Sequence, residues 1–217
     1  MEVVFRPGNV LERPAGALLL GVLQRERRLA GLAAAVDRAA GGALSALLRR
    51  RDFDGSPDEV AVLYPDGLRA ARLVVVGLGP RAGLTAHRVR LAAAAGVRRA
   101  RELRAGTGVT AALGADAGGL DPAAAAQATA EGAVLGPWRF AAYRTRPGAP
   151  ALRRVEVAGG GAGPTKGMAA AVARGARWAE AAVLARDLTC TPGSDLTPAR
   201  LAARAREVAR AAGAKVR

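Results

Sequence analysis

Gly77-Leu78-Gly79 follows the apolar run Leu73-Val74-Val75-Val76, and it is the stretch whose residue types come nearest to a recognisable chemistry. Glycine lets consecutive backbone N–H groups close on an anion, so such a loop can cradle a phosphate at Gly77, Leu78 and Gly79. The pattern extends to Ala82, but Pro80 brings no N–H and the next helix signal comes only at Thr85. A plain strand-to-helix turn is therefore the competing reading. Gly159-Gly160-Gly161-Ala162-Gly163 offers the same chemistry and reads better as a connector, with Pro164 behind it. Lys166 stands before Gly167, where a phosphate-loop lysine needs Ser or Thr.

Nucleophiles and bases are scarce. His87 is the one histidine, with no carboxylate near it in sequence to orient it, and it reads as a surface residue. Cys190 is the one cysteine; just before Pro192 it reads as a small, half-buried hydrophobe without a local histidine to activate it. A single Cys also excludes an internal disulfide, and one Cys with one His excludes a zinc cluster. The acidic residues are scattered, none paired at the spacing of a metal or acid–base site. No catalytic residue and no metal ligand is nominated.

The formal charge of +15 would suit a polyanion, through release of counterions from phosphate. Lys166 and Lys215 are the only lysines, however, and the arginines are spread over every helical segment, so an arginine-rich solvated surface is favoured over a DNA-binding face. Aromatics at 3% argue against stacking on single strands. Glu2, Arg6, Asp37 and Arg38 interrupt the apolar stretches well short of a membrane span or signal segment, so a soluble, cytoplasmic protein is expected, with no membrane partner.

The elements that must carry these residues alternate in type. Residues 2–5 and 17–23 read as strands, 29–40 and 43–51 as helices, and Asp52-Phe53-Asp54-Gly55 as a turn. Arg49, Arg50 and Arg51 close the second helix, where cations oppose its dipole. Residues 60–64 and 72–77 form a hairpin-like pair around Pro65-Asp66-Gly67, the second strand apolar enough to be buried on both faces. Thr85 caps a helix with the stripe Val89, Ala93, Val97, Ala100 and Leu103. A strand over 109–113, a helix opened by Asp121-Pro122 and reaching 134 or 135, and a strand over 152–157 follow.

The remaining 165–217 begin with a helix capped by Thr165, whose stripe Met168, Val172, Ala176, Ala179 and Val183 must pack on a partner. Thr197-Pro198 opens another helix to 212, and 215–217 could start a strand. The expected architecture is α/β, a mixed sheet flanked by helices. Its expected layout is a domain over 1–158, a glycine-rich connector and interdomain helix over 159–190, and the start of a second α/β domain over 191–217. There is no isoleucine, so Ala, Leu and Val must fill the core by close packing.

Four motifs in register carry a resemblance. They are Asp52-Phe53-Asp54-Gly55, Val76-Gly77-Leu78-Gly79, the segment 131–145 containing Gly136-Pro137-Trp138-Arg139-Phe140, and Ala185-Arg186-Asp187-Leu188 followed by Pro192 and Leu196-Thr197-Pro198. Together they resemble the N-terminal half of the cytosolic leucyl aminopeptidase family, departing from it at Cys190, where Asn is usual, and at Gly193, where a second proline is common. The resemblance implies a non-catalytic domain similar in fold to macro domains, joined by a long helix to a C-terminal peptidase domain. In the family that second domain holds two divalent metals, zinc or manganese, which polarise the peptide carbonyl and activate water. Its Asn-Thr-Asp-Ala-Glu-Gly-Arg signature is not in this sequence. The implied role is assembly or regulation, with the peptidase domain as partner, peptide substrates bound there, and a hexamer as the assembled form. Two alternatives are a free-standing macro-like module for ADP-ribose or another phosphate ligand, and a DNA-binding protein.

Overall fold

The computed structural model describes residues 1–26, 28–116, 120–145, 152–159 and 166–215. These form two compact units, Met1–Glu180 and Ala181–Arg217.

Six strands make the sheet of the first unit: β1 (Glu2–Arg6), β2 (Ala17–Val22), β3 (Val60–Leu63), β4 (Leu73–Gly77), β5 (Thr107–Ala111) and β6 (Arg154–Ala158). Their order is β1-β6-β5-β2-β4-β3. Every neighbouring pair is parallel except β3 with β4, which is antiparallel, so the sheet is mixed and the hairpin-like pair expected from sequence is present. Parallel strands need crossovers, and α1 (Gly31–Ala39), α2 (Ala43–Arg50), α3 (Ala86–Glu102) and α4 (Pro122–Leu135) supply them.

The period-2 alternation of the central strands sorts their side chains onto two faces. Leu19, Val74 and Val76 pack with Val89, Ala93, Val97 and Ala100 of α3, while Leu18, Leu20, Leu73 and Val75 pack with Val36 of α1 and Leu44 of α2. The central strands β2 and β4 are apolar throughout because both faces are covered. Thr85 and Asp121 cap their helices as expected, accepting from the amides of Arg88 and Ala124 at 3.3 and 2.8 Å.

Small residues set how closely the helices approach. A Cβ on Gly132 would lie 2.2 Å from the Arg90 carbonyl oxygen, so glycine there lets α4 lie directly on the backbone of α3. The same contact carries a polar relay: Arg90 Nε donates to Glu131 at 2.5 Å, Gln127 donates to the other oxygen of Glu131 at 2.8 Å, and Arg174 donates to Gln127 at 2.8 Å. Arg174 belongs to α5 (Met168–Cys190).

Element boundaries differ in places from the sequence reading. Strand β5 begins and ends two residues earlier than 109–113; Leu113 has left the ladder, and its amide donates instead to Thr129 Oγ1 of α4 at 3.0 Å. Strand β6 is shifted to Arg154–Ala158 by its pairing between β1 and β5. The second unit contains the end of α5 and α6 (Pro198–Ala211), with Thr197 accepting from the Arg200 amide at 3.4 Å. Leu201 and Val208, seven residues apart on one stripe of α6, are exposed. Ala214 and Lys215 are not in a strand, and the rest of that expected strand lies outside the described residues, as do Thr165 and most of the glycine cluster.

Candidate functional site

In open α/β sheets ligands settle at the carboxyl ends of the strands, beside the place where successive connections leave in opposite directions. Here the ends of β2 and β4 meet that description, and the Gly77-Leu78-Gly79 loop lies there. Its amides are already engaged. Gly77 donates to the Glu59 carbonyl, Leu78 to Val22 and Gly79 to Gly55, each at 2.9 Å. Gly79 takes a left-handed φ of +75°, and Arg88 Nη1 occupies the space a Cβ would need, 2.3 Å from it. The loop is thus a strand-to-helix turn filled by its own chain, with no amide left over for an anion.

The crevice beside it is lined by Gly21, Leu23, Glu26, Ala30, Gly31, Ala33, Leu78, Arg81 and Asp116 and holds about 60 Å3. Small-molecule sites run to roughly 300–1,000 Å3, so this space suits one or two waters. Arg81 and Glu26 lie across it as an ion pair at 3.7 Å, and Asp116 sits against Gly31 at the start of α1.

A larger cleft opens elsewhere on the first unit. It spans about 880 Å3 between α2 (Ser45 in its first turn, Leu48 and Arg49 in its last), Arg51 just beyond it, the turn after β2 (Arg25, Glu26) and Phe53-Asp54 before β3. Phe53 is buried and forms part of its floor. In the sequence its parts read separately, as a helix end and a turn. The adjacency of Arg49-Arg50-Arg51 to Asp52-Phe53-Asp54-Gly55 was the available signal, but Arg25 is brought in only by the fold.

The other nominated residues are spread out. His87 is exposed, with Nδ1 3.4 Å from Arg90 Nη1. Cys190, expected half-buried, is exposed, because the last turn of α5 presents it to solvent. Lys166 is exposed. Met168, Val172, Ala176 and Ala179 are buried, and Val183 is half-buried. Met168 and Val172 close a third apolar cluster with Ala125, Ala126 and Ala130 of α4 and Val157 of β6.

Arg101 is buried on α3 and donates to the Pro137 carbonyl at 2.5 Å. Burial, and then the neighbouring Arg139, lower its pKa from the ordinary guanidinium value, against an opposing pull from Glu102. Among the described residues no three His, Cys, Asp or Glu side chains come together to hold a metal ion. The donor set for a catalytic metal is not found among them.

The model of the cytosol aminopeptidase family's N-terminal domain matches residues 19–147. The chain belongs to the cytosol aminopeptidase family. A "Probable cytosol aminopeptidase" of Geobacter sulfurreducens is 34% identical over 199 residues, covering 89% of this chain and 39% of that relative. The chain therefore spans about two-fifths of the length of the curated relatives it matches.

Among solved structures, the bottromycin maturation enzyme BotP is 36% identical, with a TM-score of 0.70, over 92% of this chain and 38% of BotP; a second structure of it is in complex with Mn. The Trypanosoma brucei macrodomain in complex with ADP, at 14% identity, shares the fold alone, with a TM-score of 0.58 over 80% of this chain and 68% of the macrodomain. The macro-like α/β architecture expected of this family is the one observed. No single described helix is long and apolar enough to cross a membrane.

Proposed function

We propose that this chain is the N-terminal, non-catalytic part of a cytosol aminopeptidase, serving assembly or regulation of a metal-dependent peptidase domain. That domain would hold the zinc or manganese pair and the peptide substrate. The observation that carries the reading is the family match over 19–147 in a chain about two-fifths the length of its relatives. Two features support it. The loop amides are spent on the chain's own carbonyls, and α6 exposes Leu201 and Val208, an apolar stripe suited to a covering partner. The domain over 1–158, the interdomain helix with its packing residues Met168, Val172, Ala176, Ala179 and Val183, and the peptidase-domain start over 191–217 belong to the same proposal.

Coexpression tests the partnership. The chain, produced with the segment of the Geobacter sulfurreducens relative that follows the matched region, should copurify with it in a hexamer-sized, cytoplasmic species. Recovery of the two pieces as separate species would count against the role.

A second reading, a free-standing module for ADP-ribose, is favoured by the likeness to a macrodomain solved with ADP. The 60 Å3 crevice and the occupied amides of Gly77, Leu78 and Gly79 oppose it. Amide chemical shifts on adding ADP-ribose separate the two: the main reading predicts none at Gly77, Leu78 and Gly79, and saturable shifts centred on that loop would favour the module.

A further inference from the structure

We propose that the cleft at the C-terminal end of α2 binds an organic phosphate, a small molecule with a flat apolar body and a phosphate group. Its size, about 880 Å3, is that of a small-molecule site. Its lining divides by chemistry: Leu48 and Phe53 give an apolar wall and floor, and Arg25, Arg49 and Arg51 give three cations.

The remaining polar groups of the lining have partners within the protein. Ser45 is bonded to Asp37 through both its amide and its hydroxyl, Glu26 pairs with Arg81, and Asp54 accepts from Gln24 Nε2 at 3.0 Å. Among the described residues none of the three arginine side chains has an ion pair or hydrogen bond. Guanidinium groups match phosphate oxygens with paired N–H donors, which a lysine cannot do.

Two features of the backbone set this cleft apart. Arg25 and Arg51 hold φ of 59° and 60°, the left-handed region that glycine enters freely and arginine only at a cost. Of the four non-glycine residues at such φ among the described residues, Arg25 and Arg51 stand at the two rims of this cleft, Arg51 as the C-cap of α2, while Asp58 and Arg104 lie away from it. The cleft also receives the carbonyl end of α2, whose dipole by itself repels an anion. Arg49 and Arg51 reverse that local sign.

Naphthyl phosphate is a suitable probe, with naphthol and inorganic phosphate as separate arms, followed by calorimetry and amide chemical shifts on the full chain. Naphthyl phosphate should bind at least about tenfold more tightly than either half-probe, and shifts should concentrate at Leu48, Arg51 and Asp54. The double variant Arg25→Gly, Arg51→Gly relaxes both strained positions while removing two cations. It should melt within a few degrees of the parent yet lose about tenfold or more in affinity. Arg49→Gln, at an exposed helix position, provides an independent variant with the same expected loss. Four outcomes would overturn the proposal: no binding at millimolar probe, inorganic phosphate binding as well as the aryl ester, variants that bind like the parent because the arginines only offset the α2 dipole, or shifts centred on Gly31, Leu78 and Asp116.

Discussion

Glu131 has a side chain only 7% exposed, yet carries a charge, and it is tolerated because Arg90 and Gln127 occupy its two oxygens. Removing it leaves Arg90 without its counter-ion and breaks the relay to Arg174. Because the Arg90 side chain is 34% exposed, water recovers part of the loss. Glu131→Ala should therefore cost about 1–3 kcal/mol in urea unfolding, and Glu131→Gln less, since the amide keeps a hydrogen-bonding oxygen. The Asp121 cap is a smaller case: Asp121→Ala should cost about 1 kcal/mol by the same measurement. The cap was legible in the sequence because it depends on local spacing alone. The Glu131 relay was not, since its partners come from α3, α4 and α5 and meet only when those helices pack.

Between α3 and α4 the decisive residue is Gly132. Alanine is the better helix former by about 1 kcal/mol, so propensity alone predicts that Gly132→Ala stabilises. A Cβ there would sit 2.2 Å from the Arg90 carbonyl, however, and a backbone oxygen cannot swing aside. The expected result is a loss of about 2–3 kcal/mol or more in thermal or urea unfolding, from the overpacked contact. Gly193→Ala, where nothing lies within 4 Å, should change stability by no more than about 0.5 kcal/mol. Equal effects at the two glycines would contradict the close-packing account. The stripes of α3 and the alternation of the strands could be read from the sequence because burial imposes periods of 3.6 and 2 on the residues themselves. Gly77-Leu78-Gly79 could be located but not interpreted, because sequence does not show which carbonyls consume its amides. The 880 Å3 cleft escaped because sequence does not show that the turn after β2, with Arg25 and Glu26, folds against α2 and Phe53-Asp54.

For the molecule as a whole, the sheet and its covering helices make a complete core, while the described residues assemble no metal-ligand group. Half of α5 contributes to that core through Met168 and Val172. The helix read from sequence as a connector is thus also a structural member of the first unit. The most direct test is hydrolysis of leucyl anilide by the purified chain in the presence of manganese. No turnover above the buffer is expected, and activity should appear only with the peptidase segment of a relative present. Turnover that co-elutes with the chain alone, and is lost on chelation and restored by metal, would contradict a non-catalytic role.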